Sequence, residues 1–218
     1  VEEVKAQYHS GELFRAAGVW QFFRANSENN LVHIYNDTKS PAATTFDFPR
    51  QQKGPFLCLS DYLCPDRKNS DNIGLFVVTV GRGIREFSQV LKNRGEYLKS
   101  HIIQALALES AEAFSEFLHS QMRRIWGFPD SSEMTMLDRF QAKYRGKRYS
   151  FGYPACPNLS DQNNLFALLK PKEIGVELTD GDMMEPEASV SALVFHHPSG
   201  SYFSAGQTFE SMGGNRNA

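Results

Sequence analysis

The chain has 218 residues with a formal net charge of −2, and 41% of the residues are hydrophobic. This length is enough for one domain with a sizeable core. The near-neutral charge argues against a dedicated nucleic-acid-binding protein, and no apolar run approaches the ~18 residues of a membrane-spanning helix.

The first third of the chain predicts short β-strands joined by polar loops. Residues 1–13 are polar and predict a helical extension, ahead of a domain over residues 14–218. The strand predictions are apolar or alternating runs, namely 16–23, 31–35, 43–48 and 73–80. The connections are polar or rich in turn residues: 25–30 is predicted as a polar link, 57–63 as a buried turn or short helix, and 66–71 as a charged loop.

The segment Gly81-Arg82-Gly83 follows the strand over 73–80 and precedes a helical pattern. A dinucleotide-binding loop would carry a third glycine, and Ile84-Arg85-Glu86 stands in its place. The segment is therefore predicted to be an ordinary strand-to-helix turn.

The middle and end of the chain predict helices and one further strand. Residues 97–126 carry apolar side chains at three- and four-residue steps, the pattern of a long helix with one buried face. Other helices are predicted over 85–92, 134–144 and 160–169, and a final strand over 189–196. The prediction is a single α+β domain: a mainly antiparallel, twisted sheet with packed helices, one of them long and central.

The most informative segment is Arg148-Tyr149-Ser150-Phe151-Gly152-Tyr153-Pro154-Ala155-Cys156-Pro157, which we call the ligand loop. Pro154 and Pro157 fix their own φ and keep the residue before them out of the helical region. Gly152 allows a bend or a close approach to a ligand. The segment predicts a stiff loop with a cation at its entrance, suited to an anionic group. A structural turn with a surface arginine is the alternative interpretation.

The ligand loop is one of a series of short sequence motifs that occur in a fixed order along the chain. Arg148 to Pro154 has the form of an arginine, three variable residues and Gly-Tyr-Pro, and it stands in order with segments 24–27, 31–35, 59–62, 73–79, 111–119, 164–169, 174–179, 183–186, 188–195 and 197–203. This series, over about residues 14–206, resembles the activation domain of cobalamin-dependent methionine synthase.

The resemblance implies S-adenosylmethionine as the ligand. Arg148 would bind its carboxylate as a bidentate donor, and the rings of Tyr202 and Phe203 would face its sulfonium. Glu112 would face its positive end, directly or through water. The alternative for Glu112 is a solvated helix face, and the alternative for Tyr202 and Phe203 is plain strand packing. The implied binding residues are Glu112, Arg148, Gly152, Tyr153, Pro154, Ala155, Tyr202 and Phe203, with the backbone of residues 153–155 reading the adenine edge.

The resemblance also implies the reaction and its partners. The domain would position the methyl group for reductive methylation of cob(II)alamin, which another domain or protein binds. A flavodoxin-like protein would supply the electron, and neither nucleic acid nor membrane would take part. No catalytic acid, base or nucleophile is required. No metal site is predicted, because His196 and His197 point to opposite faces of a strand.

The three cysteines, Cys58, Cys64 and Cys156, do not form a disulfide framework, which favours a reducing, cytoplasmic location. Cys156 is interpreted as a small packed residue, since the sequence shows no base beside it to activate a thiol.

The sequence departs from the family in two respects. The family's early segment "DWTPFF", whose aspartate helps to hold the ligand's amino group, has no counterpart here, so weaker binding is expected. The cobalamin signature Asp-x-His-x-x-Gly is also absent. Three possibilities stay open: a C-terminal domain of a methionine synthase, a stand-alone relative serving a separate corrinoid protein or synthase, or a non-catalytic ligand-binding module.

Overall fold

An antiparallel sheet of six strands forms the centre of the fold. The computed structural model describes residues 13–36, 41–66 and 71–205. The strands are β1 (Ala17–Glu28), β2 (Leu31–Tyr35), β3 (Thr44–Asp47), β4 (Asp71–Thr79), β5 (Lys147–Tyr149) and β8 (Ser189–Phe195). Their order across the sheet is β3-β2-β1-β4-β8-β5, and every neighbouring pair is antiparallel. A small ribbon pairs β6 (Glu177–Leu178) with β7 (Met184–Glu185).

The described residues form four α-helices: α1 (Ile84–Asn93), α2 (Tyr97–Trp126), α3 (Met136–Phe140) and α4 (Gln162–Leu169). Helices α2 and α4 pack on the sheet, and α1 packs on α2. The predicted α+β class, the antiparallel sheet and the long central helix are confirmed. In the described part of the chain, no helix has both the length and the apolar character needed to cross a bilayer. Apart from Leu13, the predicted helical extension over 1–13 lies outside the described residues and stays a prediction.

Strand β4 is buried on both faces because its side chains alternate between two apolar clusters. Ile73, Leu75 and Val77 join the cluster on one face, and Phe76 and Val78 join the cluster on the other. A strand that is apolar on both sides needs a covering layer on each face. The sheet therefore forms the middle of three layers.

Helix α2 covers one face of the sheet through small and apolar residues on one side of the helix. Ile103, Ala107, Ala111 and Met122 are buried against this face. A Cβ at Gly74 of β4 would lie 2.5 Å from Met122 Cε, so the glycine allows the helix to approach the strand closely.

The opposite face carries α4, the 3-10 helix Leu59–Tyr62 and the ligand loop. Tyr149, Phe151, Ala155 and Cys156 are all members of the apolar cluster on this face. The ligand loop is therefore anchored in the core by its side chains, which leaves parts of its backbone on the surface.

The polar link predicted over 25–30 is wrong, because β1 continues to Glu28 and only Asn29 and Asn30 turn. Asn26 and Ser27 are buried in the strand, where polar groups need partners. Tyr35 donates its hydroxyl hydrogen to Asn26 Oδ1 (2.7 Å), and Ser27 donates to the Leu63 carbonyl (3.0 Å). These contacts come from distant segments, which local composition does not reveal.

The helix predicted over 134–144 is also too long, since α3 covers only Met136–Phe140. Thr135 caps its start by accepting a hydrogen bond from the Asp138 amide (3.1 Å). Ala142 has a φ of 49°, outside the helical region, and the chain then turns Tyr144 into a buried position. Packing of Tyr144 therefore overrides helix propensity.

Three boundary predictions need smaller corrections. Asp71 is the first residue of β4 and not part of a loop, while residues 67–70 lie outside the described ranges. The helix predicted from Ser160 begins with the 3-10 turn Leu159–Asp161, and Asp161 makes no side-chain cap to α4. His196 lies just beyond the end of β8.

A side chain at Gly146, which leads directly into β5, is expected to destabilise the fold. Its φ is 77°, and an added Cβ would lie 2.6 Å from the Phe195 carbonyl oxygen. Gly95 has nearly the same φ (76°) with no atom within 4 Å. Because the left-handed conformation costs about 1 kcal/mol for alanine, we expect Gly95→Ala to lower the free energy of unfolding by about that amount.

For Gly146→Ala we expect a loss of about 2 kcal/mol, because the contact with the backbone oxygen adds to the conformational cost. Urea unfolding of both variants measures the difference. Equal losses would show that the contact with Phe195 adds nothing.

Candidate ligand-binding site

The ligand loop starts on β5 at the edge of the sheet and folds back on itself. Arg148 lies opposite Val194 of β8. Gly152, at a φ of 83°, donates its amide hydrogen to the Cys156 carbonyl (3.0 Å), and Cys156 donates its own to the Tyr153 carbonyl (2.9 Å). These closed turns make the stiff loop that the two prolines and the glycine predict.

A cavity of about 510 Å³ opens between the ligand loop, helix α2 and the segment after β8. Small-molecule sites in proteins have volumes of about 300–1,000 Å³. We call this the ligand cavity; the residues around it are Glu112, Arg148, Tyr149, Ser150, Tyr153, Pro154, Ala155, Tyr202, Phe203 and Ser204. Every predicted binding residue except Gly152 lines it. Gly152 shapes the turn behind the wall.

Arg148 reaches the ligand cavity in contact with two carboxylates of α2. Its Nη1 donates to Glu116 Oε2 (3.2 Å) and its Nη2 lies 3.4 Å from Glu112 Oε2. Only 18% of the arginine side chain is exposed. The structure thus places Glu112 beside the cation with its side chain 55% exposed, and its role toward a ligand stays a prediction.

Aromatic rings form another part of the wall of the ligand cavity. The ring of Tyr202 meets that of Tyr149 edge to face at 5.6 Å, and Phe203 lies 6.4 Å from the same ring. Tyr202 is half exposed and Phe203 is partly buried. Such rings offer both apolar area and a negative face to a cation.

Hydrogen bonds to main-chain atoms of residues 201–205 hold this aromatic segment against the ligand loop and Gln51. The Tyr149 hydroxyl donates to the Ser201 carbonyl (2.7 Å), and the Gln51 side chain donates to the Ser204 carbonyl (3.0 Å). The Ala205 amide donates to the Pro154 carbonyl (3.0 Å). The segment 201–205 is therefore fixed on both sides of Tyr202 and Phe203.

The backbone of residues 153–155 is partly engaged within the protein. The carbonyls of Tyr153 and Pro154 accept hydrogen bonds from the amides of Cys156 and Ala205. Each carbonyl has a second lone pair, so both can still accept from a ligand. That this backbone reads an adenine edge stays a prediction.

Several residues of the site and its surroundings are absent from the predicted set. Tyr149, Ser150 and Ser204 line the ligand cavity, and Glu116 and Tyr144 contact the arginine network. Glu116 lies one helical turn after Glu112, so the i, i+4 spacing carries a signal for it. The sequence carries no such signal for Tyr144, because the position of its side chain depends on the early end of α3.

Cys156 is a packed residue, as predicted. It is buried, its thiol donates to the Ser150 carbonyl (2.8 Å), and burial raises the pKa of the thiol to about 12. All three cysteines are free thiols, and only Cys64 is partly exposed.

We therefore expect iodoacetamide at pH 8 to modify Cys64 first in the folded protein. The thiolate is the reactive form, and with a pKa of about 12 roughly one Cys156 thiol in ten thousand is ionised at that pH. Peptide mass spectrometry after timed labelling measures the order, with urea-unfolded protein as the control. Labelling of Cys156 as fast as Cys64 would contradict the packing described above.

His196 and His197 have separate environments. His196 Nε2 lies 2.6 Å from Asp71 Oδ1, and the His197 ring lies 5.6 Å from that of Tyr62. Burial alone would raise the pKa of Asp71, but hydrogen bonds from His196 and two backbone amides outweigh it and lower that pKa. Within the described ranges, no group of three or more His, Cys, Asp or Glu side chains could hold a metal ion.

The fold and the ligand cavity together define an α+β domain with a cavity of small-molecule size. The sequence matches the family of the vitamin B12 dependent methionine synthase activation domain over residues 2–211. The chain therefore belongs to this family, which confirms the resemblance carried by the ligand loop and the segments around it.

Known relatives and a solved structure agree with this membership. The chain is 35% identical over 206 residues to the methionine synthase of Mycobacterium tuberculosis (strain ATCC 25618 / H37Rv), and 34% identical to that of Mycobacterium leprae (strain TN). Each alignment covers 88% of this chain and 17% of the relative, so the chain spans about a sixth of their length.

The crystal structure of the MetH reactivation domain bound to AdoHcy superposes with a TM-score of 0.88 at 29% identity. The match covers 94% of this chain and 67% of that chain.

Proposed function

We propose that the chain binds S-adenosylmethionine in the ligand cavity and presents its methyl group to cob(II)alamin for reductive methylation. The observation that carries the proposal is the convergence of one cation, an aromatic wall and a stiff backbone loop on a cavity of about 510 Å³. Family membership and the similar reactivation domain, which binds AdoHcy, support it.

The chemistry of the cavity suits the separate parts of this ligand. Arg148 offers a guanidinium to the carboxylate. Tyr202 and Phe203 offer ring faces to the sulfonium. Tyr153, Pro154 and Ala155 also line the cavity, and the adenine would lie against them. Because the ligand loop is already ordered, little conformational entropy is lost on binding.

The position of Glu112 also suits a methyl donor. Sulfur loses its positive charge as the methyl group leaves, so a tight ion pair with the sulfonium would stabilise the ground state more than the transition state. Glu112 lies 3.4 Å from Arg148, at the end of the cavity where the ligand's carboxylate and ammonium groups would lie. It would therefore favour the ammonium group without forming a tight ion pair with the sulfonium.

The partners follow from the reaction. Cobalamin supplies the methyl-accepting chemistry and would be bound by a separate domain or protein, and a flavodoxin-like protein would supply the electron. The role left to this chain is to hold the methyl group at the right distance and orientation. A cytoplasmic location is part of the same proposal.

Two measurements test the proposal in order. Calorimetric titration with S-adenosylhomocysteine, the product left after methyl transfer, is expected to show one site per chain. A reductive methylation assay then adds a cobalamin-binding domain, a reduced flavodoxin-like donor and methyl-labelled S-adenosylmethionine, and label is expected on the cobalamin. Absence of binding at millimolar ligand would refute the site. Binding without methyl transfer would leave only a ligand-binding module.

A further inference from the structure

A row of alternating charges runs from the ligand cavity into the protein interior. Along α2, Glu112, Glu116 and Arg123 lie on one side of the helix, since their spacings of four and seven residues correspond to one and two turns. Arg148 reaches this row from β5 between the two glutamates, and Asp130 ends it beyond Arg123. Each charge has an opposite charge as its neighbour.

Glu116 is held firmly from the side that faces away from the cavity. Tyr144 donates its hydroxyl hydrogen to Glu116 Oε2 (3.0 Å), and Arg123 Nη2 lies 3.6 Å from Glu116 Oε1. Burial and the neighbouring Glu116 raise the pKa of Tyr144, so its phenol keeps the hydrogen that it donates.

Arg123 is buried and well packed. Its side chain is 1% exposed, and it forms two short hydrogen bonds with Asp130, from Nε to Oδ1 (2.6 Å) and from Nη2 to Oδ2 (2.7 Å). Its guanidinium carbon lies 3.7 Å from the centre of the Tyr144 ring. Glu116 therefore lies between two cations, the buried Arg123 and Arg148, and its Oε2 also accepts the hydroxyl hydrogen of Tyr144.

Glu112 differs from Glu116 in each of these respects. Its side chain is 55% exposed, against 29% for Glu116, and its one contact with Arg148 is longer (3.4 Å). Among the described residues, Arg148 is its only ion-pair partner within 4.0 Å. An exposed, weakly held carboxylate is easily replaced by another.

We infer that Glu116 is a positioning residue that holds Arg148 facing the ligand cavity, while Glu112 gives way to the carboxylate of the ligand. The inference rests on the proposed function, because it concerns how that ligand is held. The ligand's carboxylate would take the Nη2 side that Glu112 occupies, and Nη1 would stay on Glu116. Glu112 would then be free to meet the ligand's ammonium group.

A comparison of two ligands separates this role from general support of the fold. S-adenosylhomocysteine carries a carboxylate, whereas 5′-methylthioadenosine keeps the adenosine and sulfur and lacks the whole amino-acid group. We expect Glu116→Gln to weaken S-adenosylhomocysteine about 10-fold, through loss of a charge-assisted bond that orients Arg148, and to leave 5′-methylthioadenosine within about twofold. Calorimetry on the purified chain measures both constants.

Two further variants complete the test. In an Arg148→Ala background, Glu116→Gln is expected to cause no additional loss, since Glu116 acts through that arginine. Glu86→Gln removes an exposed carboxylate from α1, which does not line the ligand cavity, and is expected to change neither constant.

The other possible results overturn the inference, and one of them also refutes the proposed function. Equal weakening of both ligands by Glu116→Gln would show a structural role and overturn the inference, as would unchanged binding of S-adenosylhomocysteine. Additive losses in the double variant would overturn it too. If the wild-type chain binds S-adenosylhomocysteine but Glu116→Gln has no effect, the inference alone fails. If the wild type does not bind it, the proposed function fails as well.

Discussion

Replacing Arg148 with alanine is expected to weaken S-adenosylmethionine binding about 10- to 100-fold, because a hydrogen bond to a charged group contributes about 1.5–3 kcal/mol. The loss should fall almost entirely on ligands that carry the carboxylate. The fold should persist, since Glu116 keeps its contacts with Tyr144 and Arg123. Calorimetric titration measures the change, and circular dichroism checks the fold.

Arg124→Ala is the matched control for this experiment. Arg124 is an exposed arginine in the last turn of α2, away from the ligand cavity. Its removal changes the net charge by the same amount, so any long-range electrostatic contribution affects both variants. Equal weakening by the two substitutions would show that Arg148 contributes only net charge and has no specific contact.

Asp130→Ala is expected to cost about 3 kcal/mol or more in the free energy of unfolding, because it leaves a buried guanidinium without its main partner. Arg123 is 1% exposed, and Asp130 accepts hydrogen bonds from both its Nε and Nη2. We expect a loss near the lower end of the range of about 3–5 kcal/mol for broken buried ion pairs, because Glu116 and Tyr144 still contact Arg123. The total free energy of unfolding of a typical domain is about 5–15 kcal/mol.

Urea unfolding measures this loss, and an exposed pair supplies the control. Lys172 Nζ lies 2.9 Å from Glu177 Oε1, with both side chains more than half exposed. Because such surface pairs contribute at most about 1 kcal/mol, Glu177→Ala should have a small effect. A loss for Asp130→Ala no greater than that of the control would mean that Arg123 finds another partner or water.

The parts of the fold that depend on local pattern were predictable from the sequence. Helix α2 covers Tyr97–Trp126, as its apolar spacing predicts, and β4 and β8 were recognised by their apolar runs. The parts that depend on distant contacts were not. Asn26 and Ser27 look like loop residues until Tyr35 and Leu63 supply their hydrogen bonds.

The site divides in the same way. The motif from Arg148 to Pro154 identified the ligand loop and its cation, because that chemistry lies within a few consecutive residues. The support behind the cation depends on Tyr144, whose side chain is placed by the early end of α3, and on Asp130, which follows α2. Residues that are separate in sequence and meet only after folding give no local pattern to read.

The way in which segment 201–205 is held has a consequence for how the site can change during evolution. Its attachments at Ser201, Ser204 and Ala205 use main-chain atoms, with donors or acceptors supplied by Tyr149, Gln51 and Pro154. Mutations at Tyr202 and Phe203 therefore alter the ring surface offered to a ligand without detaching the wall. These two positions are where selection could adjust ligand preference at the lowest cost to the fold.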